Sequence, residues 1–332
     1  MSLLKVEGEQ TVSQIETLLG QMVNSSSCDV QIPTTLRRSQ FAGLALLIQF
    51  LVTWAKQCPN GRLFTHVQNP SDTEGQLRAL SETDHGAVAL LAAPRVVQVK
   101  GQLIYEAERY ALRAVRANHT QFLHDLGAPS SAHSAALGPS LSFLCADGPE
   151  LYPPSLYHSL QGRRPFLVDA TDFGTFAETC FRRLTHTPIP QETRTALGLI
   201  LYEVFRNTDD WARENWDDTA ISRSIRGLRF EVHHHKEADA FRFFSRGSRP
   251  LETFFTRHPV LEDQRLHTIL EISVFDSGSG LAQRWLRRSL DGLTAIDEYH
   301  AVIECLKPHK SSSAETHRGI GLHDVMLALT GC

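Results

Sequence analysis

Cysteine is sparse and scattered: Cys28, Cys58, Cys145, Cys180, Cys305 and Cys332 are the six in 332 residues, and no two fall close together in the chain. That spacing indicates neither a zinc site nor a disulfide framework, and a reducing, cytoplasmic compartment fits it. A membrane-spanning run is also missing. The longest apolar stretch, Phe41 to Ala55, contains Gln49 and Thr53 and falls short of the roughly 20 residues needed to cross a bilayer. It reads as a buried helix. The opening residues show no basic, apolar and small succession of the kind that marks a secretory leader. Charge of one sign is not in excess, since 33 Lys and Arg against 37 Asp and Glu leave a formal net charge of -4; nothing here argues for a nucleic-acid surface. There is no internal repeat. The string Gly-x-x-x-x-Gly-Lys-Ser/Thr is absent too, so phosphate binding by a P-loop is excluded.

What is present is an ordinary globular composition, 42% hydrophobic and 21% charged, sufficient to bury two cores. The length fits two domains of roughly 100 to 200 residues each. After a polar start with a short amphipathic helix from Val12 to Met22, Cys28 to Pro33 reads as a strand and Ser39 to Gln57 as a long helix. Pro59-Asn-Gly is a turn, Arg62 to Val67 a second strand and Asp72 to Leu80 another helix. Strand and helix alternating over short connections predict a small α/β unit with parallel strands. Gln102 to Leu126 is helical, with Ile104, Ala107, Ala111 and Val115 on one side. The stretch from Gly127 to Pro154, rich in Ala, Ser, Gly and Pro, reads as linker or irregular connection. The expected division is 1–126, a connection over 127–164, and a second domain over 165–332.

In that second part, Phe166 to Asp169 reads as a strand and Thr175 to Leu184 as a helix. Ile225 to His234 and Leu266 to Phe275 read as two further strands. Between the last two, residues 237–262 are rich in Phe and Arg, and they are expected to touch a partner. The run His233 to His235 is not expected to hold a metal, because alternate side chains of a strand point to opposite faces and the three cannot converge.

The stretch around which the rest is organised is Leu197 to Trp211, LGLILYEVFRNTDDW. Glu203, Asn207 and Asp210 stand at i, i+4 and i+7, one narrow stripe of a helix. Leu197, Ile200, Leu201, Val204 and Trp211 form an apolar stripe beside it, expected to face a sheet. A polar stripe at the margin of a core is where a pocket wall would be.

This stretch matches the motif Glu-x-x-x-Asn-x-x-Asp. Asp276-Ser-Gly278-Ser-Gly280 matches Asp-x-Gly-x-Gly downstream, and Arg318-Gly319-Ile320-Gly321-Leu322 supplies a Gly-x-Gly before a helix. In these motifs and their order, residues 165–332 resemble the GHKL (Bergerat-fold) ATPases, which include the gyrase B subunit, the MutL proteins and the sensor histidine kinases. The resemblance implies a GHKL-type α/β sandwich, hence an α/β (α+β) fold overall, with ATP and Mg²⁺ as cofactors. By it, Glu203 is the general base and Asn207 ligates Mg²⁺ through its side-chain oxygen. Asp210 lies in the same nucleotide-binding motif. Asp276 accepts a hydrogen bond from the adenine amino group, and Gly278 and Gly280 let the backbone approach. Arg318, Gly319, Ile320, Gly321 and Leu322 present the phosphate-binding helix N-terminus. Residues 281–318 would form a lid, with phosphate donors among Lys307, Lys310, Ser311 to Ser313 and Arg318.

The N-terminal unit faintly resembles a STAS domain in Gln40-Phe-Ala-Gly43-Leu44-Ala-Leu-Leu47 and the Gly61 turn. Ala42 stands where the phosphorylated serine of such antagonists would be. The function implied is an ATPase whose lid closure changes conformation or the binding of an unidentified protein partner, with a homodimer as a family habit and no membrane or nucleic acid involved. Two alternatives belong to other classes. One is a protein kinase, either an anti-sigma-like serine kinase or a histidine kinase, since Phe122-Leu-His124-Asp-Leu-Gly-Ala-Pro129 resembles a phosphoacceptor box. The other is an ATP-sensing module without turnover. The family fold continues past its last Gly-x-Gly helix into strands, whereas this sequence stops at Cys332, so a shortened C-terminus is expected.

Overall fold

Strands of two to eleven residues alternate with helices, and they fold as the mixed α/β class expected. The computed structural model describes residues 2–25, 27–39, 41–65, 72–98, 101–126, 140–147, 150–159, 164–185, 189–235, 245–257, 267–308 and 321–331. The N-terminal elements are β1 (Ser2–Lys5), β2 (Glu9–Gln10), α1 (Val12–Val23), β3 (Cys28–Ile32), β4 (Arg38–Ser39), α2 (Gly43–Gln57) and β5 (Arg62–Thr65). They continue with α3 (Thr73–Ser81), α4 (Asp84–Ala92), β6 (Arg95–Val97), β7 (Leu103–Ile104) and α5 (Glu108–Leu126). A five-stranded sheet has the order β1-β3-β5-β6-β7. Its pairings are parallel as far as β6, and β7 closes the edge antiparallel.

Helix α2 is the apolar run of the sequence, and it is buried rather than membranous. Leu47, Phe50, Leu51 and Trp54 have lost all solvent contact, as have Val30, Ile32 and Leu63 of the sheet. Among the described residues no helix is long and apolar enough to cross a membrane. Trp54 Nε1 donates to the Cys28 carbonyl at 3.0 Å, so the one polar atom of this core ring is satisfied. Two cysteines distant in sequence meet here: the Cys28 and Cys58 sulfurs lie 3.3 Å apart as free thiols. Burial, and then Cys58 itself, pushes the Cys28 thiol up to about 12. The helix expected from Gln102 starts only at Glu108, because Leu103 and Ile104 pair with β6 and Glu106 turns the chain at φ 59°.

The later elements are β8 (Ser140–Ala146), β9 (Tyr157–His158), β10 (Phe166–Leu167), α6 (Ala170–Leu184), α7 (Gln191–Trp211), β11 (Ile225–His235) and α8 (Arg249–Arg257). They end with β12 (His267–Asp276), α9 (Leu281–Leu286), a 3-10 turn (Leu290–Gly292), α10 (Ala295–Cys305) and α11 (Gly321–Gly331). Three strands make a sheet in the order β12-β11-β8. β8 lies inside the stretch read as linker. Its residues Leu141, Phe143, Leu144, Cys145 and Ala146 are buried, and their apolar character was masked by the Ala- and Ser-rich residues before them.

Contacts divide the chain into two compact units. The first comprises Met1–Phe122, Leu137–Phe143 and Arg229–Phe275; the second comprises Leu123–Ala136, Leu144–Leu228 and Asp276–Cys332. In the first, Phe143 meets Phe122 at 4.7 Å and Phe230 at 6.4 Å, both edge-on. The 237–262 segment contributes α8, which exposes Phe254 and buries no residue fully.

In the second unit α6 packs against α7. It begins five residues earlier than the sequence indicates because Asp169 caps it, accepting the N–H groups of Thr171 and Asp172 at 2.9 Å each. Asp169→Ala is expected to cost about 1 kcal/mol, read as a lower denaturant midpoint at unchanged slope. An unmoved midpoint would show the cap to be idle.

Candidate functional site

Helix α7 presents three kinds of surface. Gly198, Ile200, Leu201, Phe205 and Thr208 are its buried residues. This corrects the apolar stripe read from the sequence: Leu197, Val204 and Trp211 are only half-buried, and Phe205 takes the deepest position. The reason is the partner. α7 packs against α6 and α11, and Phe205 stacks near Phe173 at 5.9 Å and Tyr157 at 6.4 Å.

Glu203, Asn207 and Asp210 fall together on the half-buried margin, as expected. Glu203 and Asn207 make no hydrogen bond or ion pair among the described residues, whereas Asp210 faces Arg206 at 3.8 Å. Burial raises the Glu203 carboxyl above its ordinary range, Asp324 and Asp210 add to the rise, and Arg206 opposes it. A carboxylate that is partly desolvated and unpaired is a competent proton acceptor.

The second motif sits at the end of β12. Asp276 accepts the Gly278 N–H at 2.7 Å. Ser277 is tied twice to the start of β11, donating its N–H to Ile225 O and accepting the Ile225 N–H on its Oγ, both at 2.9 Å. Gly278 is required by proximity, because a Cβ there would lie 3.0 Å from the Cα of Ala212, just beyond α7. Gly280 is required by conformation, opening α9 at φ 80° where a side chain would be strained.

The third motif comes to Glu203. A Cβ on Gly321, the first residue of α11, would lie 2.1 Å from Glu203 Oε2 and 3.0 Å from its Cδ. Lack of a side chain at 321 is what lets this carboxylate reach the helix start, with Leu322 half-buried beside it. Arg318, Gly319 and Ile320 lie outside the described residues, as do Lys310 and Ser311 to Ser313 of the expected lid. Lys307 pairs with Glu304. His124 is exposed in the last turn of α5.

Sequence reasoning missed the network that anchors the far side of α7. Arg226 of β11 is wholly buried, with Nη1 3.0 Å from Asp147 and Nη2 2.8 Å from Asp209 of α7. Arg213 also pairs with both carboxylates. Tyr157 donates to Asp209 at 2.7 Å while accepting from Arg226 at 3.2 Å, and Tyr152 donates to Asp147 at 2.8 Å. The only hint in the sequence was Asp209 itself, adjacent to Asp210. Beside it Arg284 of α9 lies 4.8 Å over the Trp211 ring and pairs with Asp218 at 2.8 Å and Glu214 at 3.1 Å, fixing α9 to the loop after α7. Comparison of the chain with protein-family models, with curated proteins and with solved structures finds no match.

Proposed function

We propose that the second unit binds Mg-ATP along α7 and hydrolyses it. The observation that carries this reading is that the Asp276 turn meets Ala212, the C-cap of α7, while the Gly321 helix start meets Glu203 within α7. The two contacts are nine residues apart, about 13.5 Å of helix rise, a length comparable to an extended nucleoside triphosphate. Asp276 would hold the base and Gly321 the phosphates, where the free amides of a helix N-terminus favour an anion. Asn207, whose amide has no partner among the described residues, fits as a ligand to a hard octahedral cation shared with phosphate oxygens. When bound, Mg²⁺ would neutralise phosphate charge. Glu203, one turn before Asn207, would take the proton of the attacking water. Closure of a lid over the nucleotide would alter the surface offered to a protein partner.

Calorimetry of ATP binding with and without Mg²⁺, on the intact chain and on Asp276→Ala, tests the site. Loss of a buried polar contact of this kind costs about 1 to 3 kcal/mol, roughly ten- to a hundredfold in affinity. Equal affinity in the folded variant would remove Asp276 from the site, and an intact chain that ignores ATP would overturn the reading. Phosphate release from the same samples separates an ATPase from a module that binds without turnover.

A further inference from the structure

We propose that Glu231, His233 and Glu271 form a binding site for a divalent transition-metal ion of the zinc class, in the first unit and built from none of the nucleotide-site residues. On β11, residues two apart share a face, so Glu231 and His233 project together while His234 turns away to Thr268 at 3.1 Å. β12 is the neighbouring strand and supplies Glu271. His233 Nε2 lies 3.1 Å from Glu271 Oε2 and 3.7 Å from Glu231 Oε2, and the three donor atoms fall within 4.8 Å of one another. Ligands bonded to zinc at about 2.0 to 2.1 Å in a tetrahedron stand about 3.3 Å apart, so the donors need only small side-chain adjustments. It is the one such group of three among the described residues.

Charge points the same way. Asp84 and Glu231 share one guanidinium, that of Arg229, which pairs with Asp84 at 2.9 Å and with Glu231. A bound cation would balance the excess. The donors are also held from outside, as ligands in metal sites are. Glu271 accepts the Ala42 N–H at 3.1 Å and the Ser273 hydroxyl at 3.4 Å, and Phe41 packs edge-on to the His233 ring at 4.7 Å. An imidazole among the ligands selects zinc-like ions over Ca²⁺ and Mg²⁺, and three protein ligands leave a fourth position for water. The ion would join β11, β12 and, through Ala42, the start of α2.

The test uses the full chain, stripped with chelator and free of nucleotide, so that it is independent of ATP binding. Titration with Zn²⁺ should show one equivalent bound and a raised melting temperature, with no such response to Ca²⁺. His233→Ala and Glu271→Gln should each weaken zinc binding by at least about tenfold, the lower end of what loss of even an outer partner costs. Glu231→Gln, which preserves size, serves if His233→Ala fails to fold. Absence of saturable one-equivalent binding overturns the proposal, as does equal affinity in folded variants, which would assign the uptake to others of the sixteen histidines.

Discussion

Glu203→Gln is expected to bind Mg-ATP as the parent chain does and to release phosphate about 10² to 10⁴ times more slowly, the usual contribution of a positioned general base. Gln keeps the size of the side chain and its place beside Gly321, where a Cβ would lie 2.1 Å from the Glu203 carboxylate, but it cannot accept a proton. The nucleotide contacts assigned to Asp276 and Asn207 are untouched. Parallel loss of binding and turnover in a folded variant would make Glu203 a binding group and not the base.

Two further signs follow from the raised pKa of Glu203. The base works only when deprotonated, so kcat/KM of the parent should fall with decreasing pH at a midpoint above that of an ordinary glutamate; burial is the first cause, with Asp324 and Asp210 assisting. Stability runs the other way. A carboxyl whose folded pKa exceeds its unfolded value stabilises the protein only at low pH, and that contribution is lost as pH rises through the folded pKa. Near neutral pH the charge is a net cost, so Glu203→Gln should melt no lower than the parent. A lower melting temperature would mean that the charged carboxylate is stabilised by an interaction beyond those described.

Much of this molecule was legible in the sequence where local chemistry decides the outcome. β3 and β5 lie where Pro59-Asn-Gly and the apolar runs place them, α2 was recognisable as a buried helix, and the motif stripe of α7 sits at the half-buried margin that its spacing requires. The failures share a cause, which is dependence on a distant partner. β8 was hidden because an apolar segment of seven residues is ambiguous until its neighbour strand is known. Phe205 and Val204 are adjacent on the helix, and only the position of α6 decides which of them is buried. Cys28 and Cys58 are 30 residues apart, yet their sulfurs meet at 3.3 Å. Glu231-x-His233 shares a strand face by alternation, but Glu271, 38 residues beyond His233, becomes its neighbour only through strand pairing.

Arg226→Ala is expected to destabilise the second unit by about 3 to 5 kcal/mol, the usual cost of removing one partner from a buried charged cluster. With both arginines present the cluster is balanced, since Arg213 and Arg226 face Asp147 and Asp209. Without Arg226, two carboxylates share one guanidinium, and the Tyr157 hydroxyl loses the donor that it accepts from at 3.2 Å. A cavity would be left where a wholly buried side chain had been. For a cooperative unit of roughly 150 to 250 residues this lowers the melting temperature by about 6 to 20 °C. Arg226→Lys should fall between, because an ammonium restores the charge but not the fork that reaches Asp147, Asp209 and Tyr157 together. A melting curve unchanged in Arg226→Ala would show that the network is not what holds this unit. The expected loss also extends to the site, since Asp209 is on α7 between Asn207 and Asp210. With its tie to β11 weakened, Asp209 is left to Arg213 and Tyr157, and the stripe bearing Glu203 is expected to shift against Gly321. Nucleotide binding by Arg226→Lys at a temperature where it remains folded should therefore weaken, although Arg226 touches no part of the proposed site.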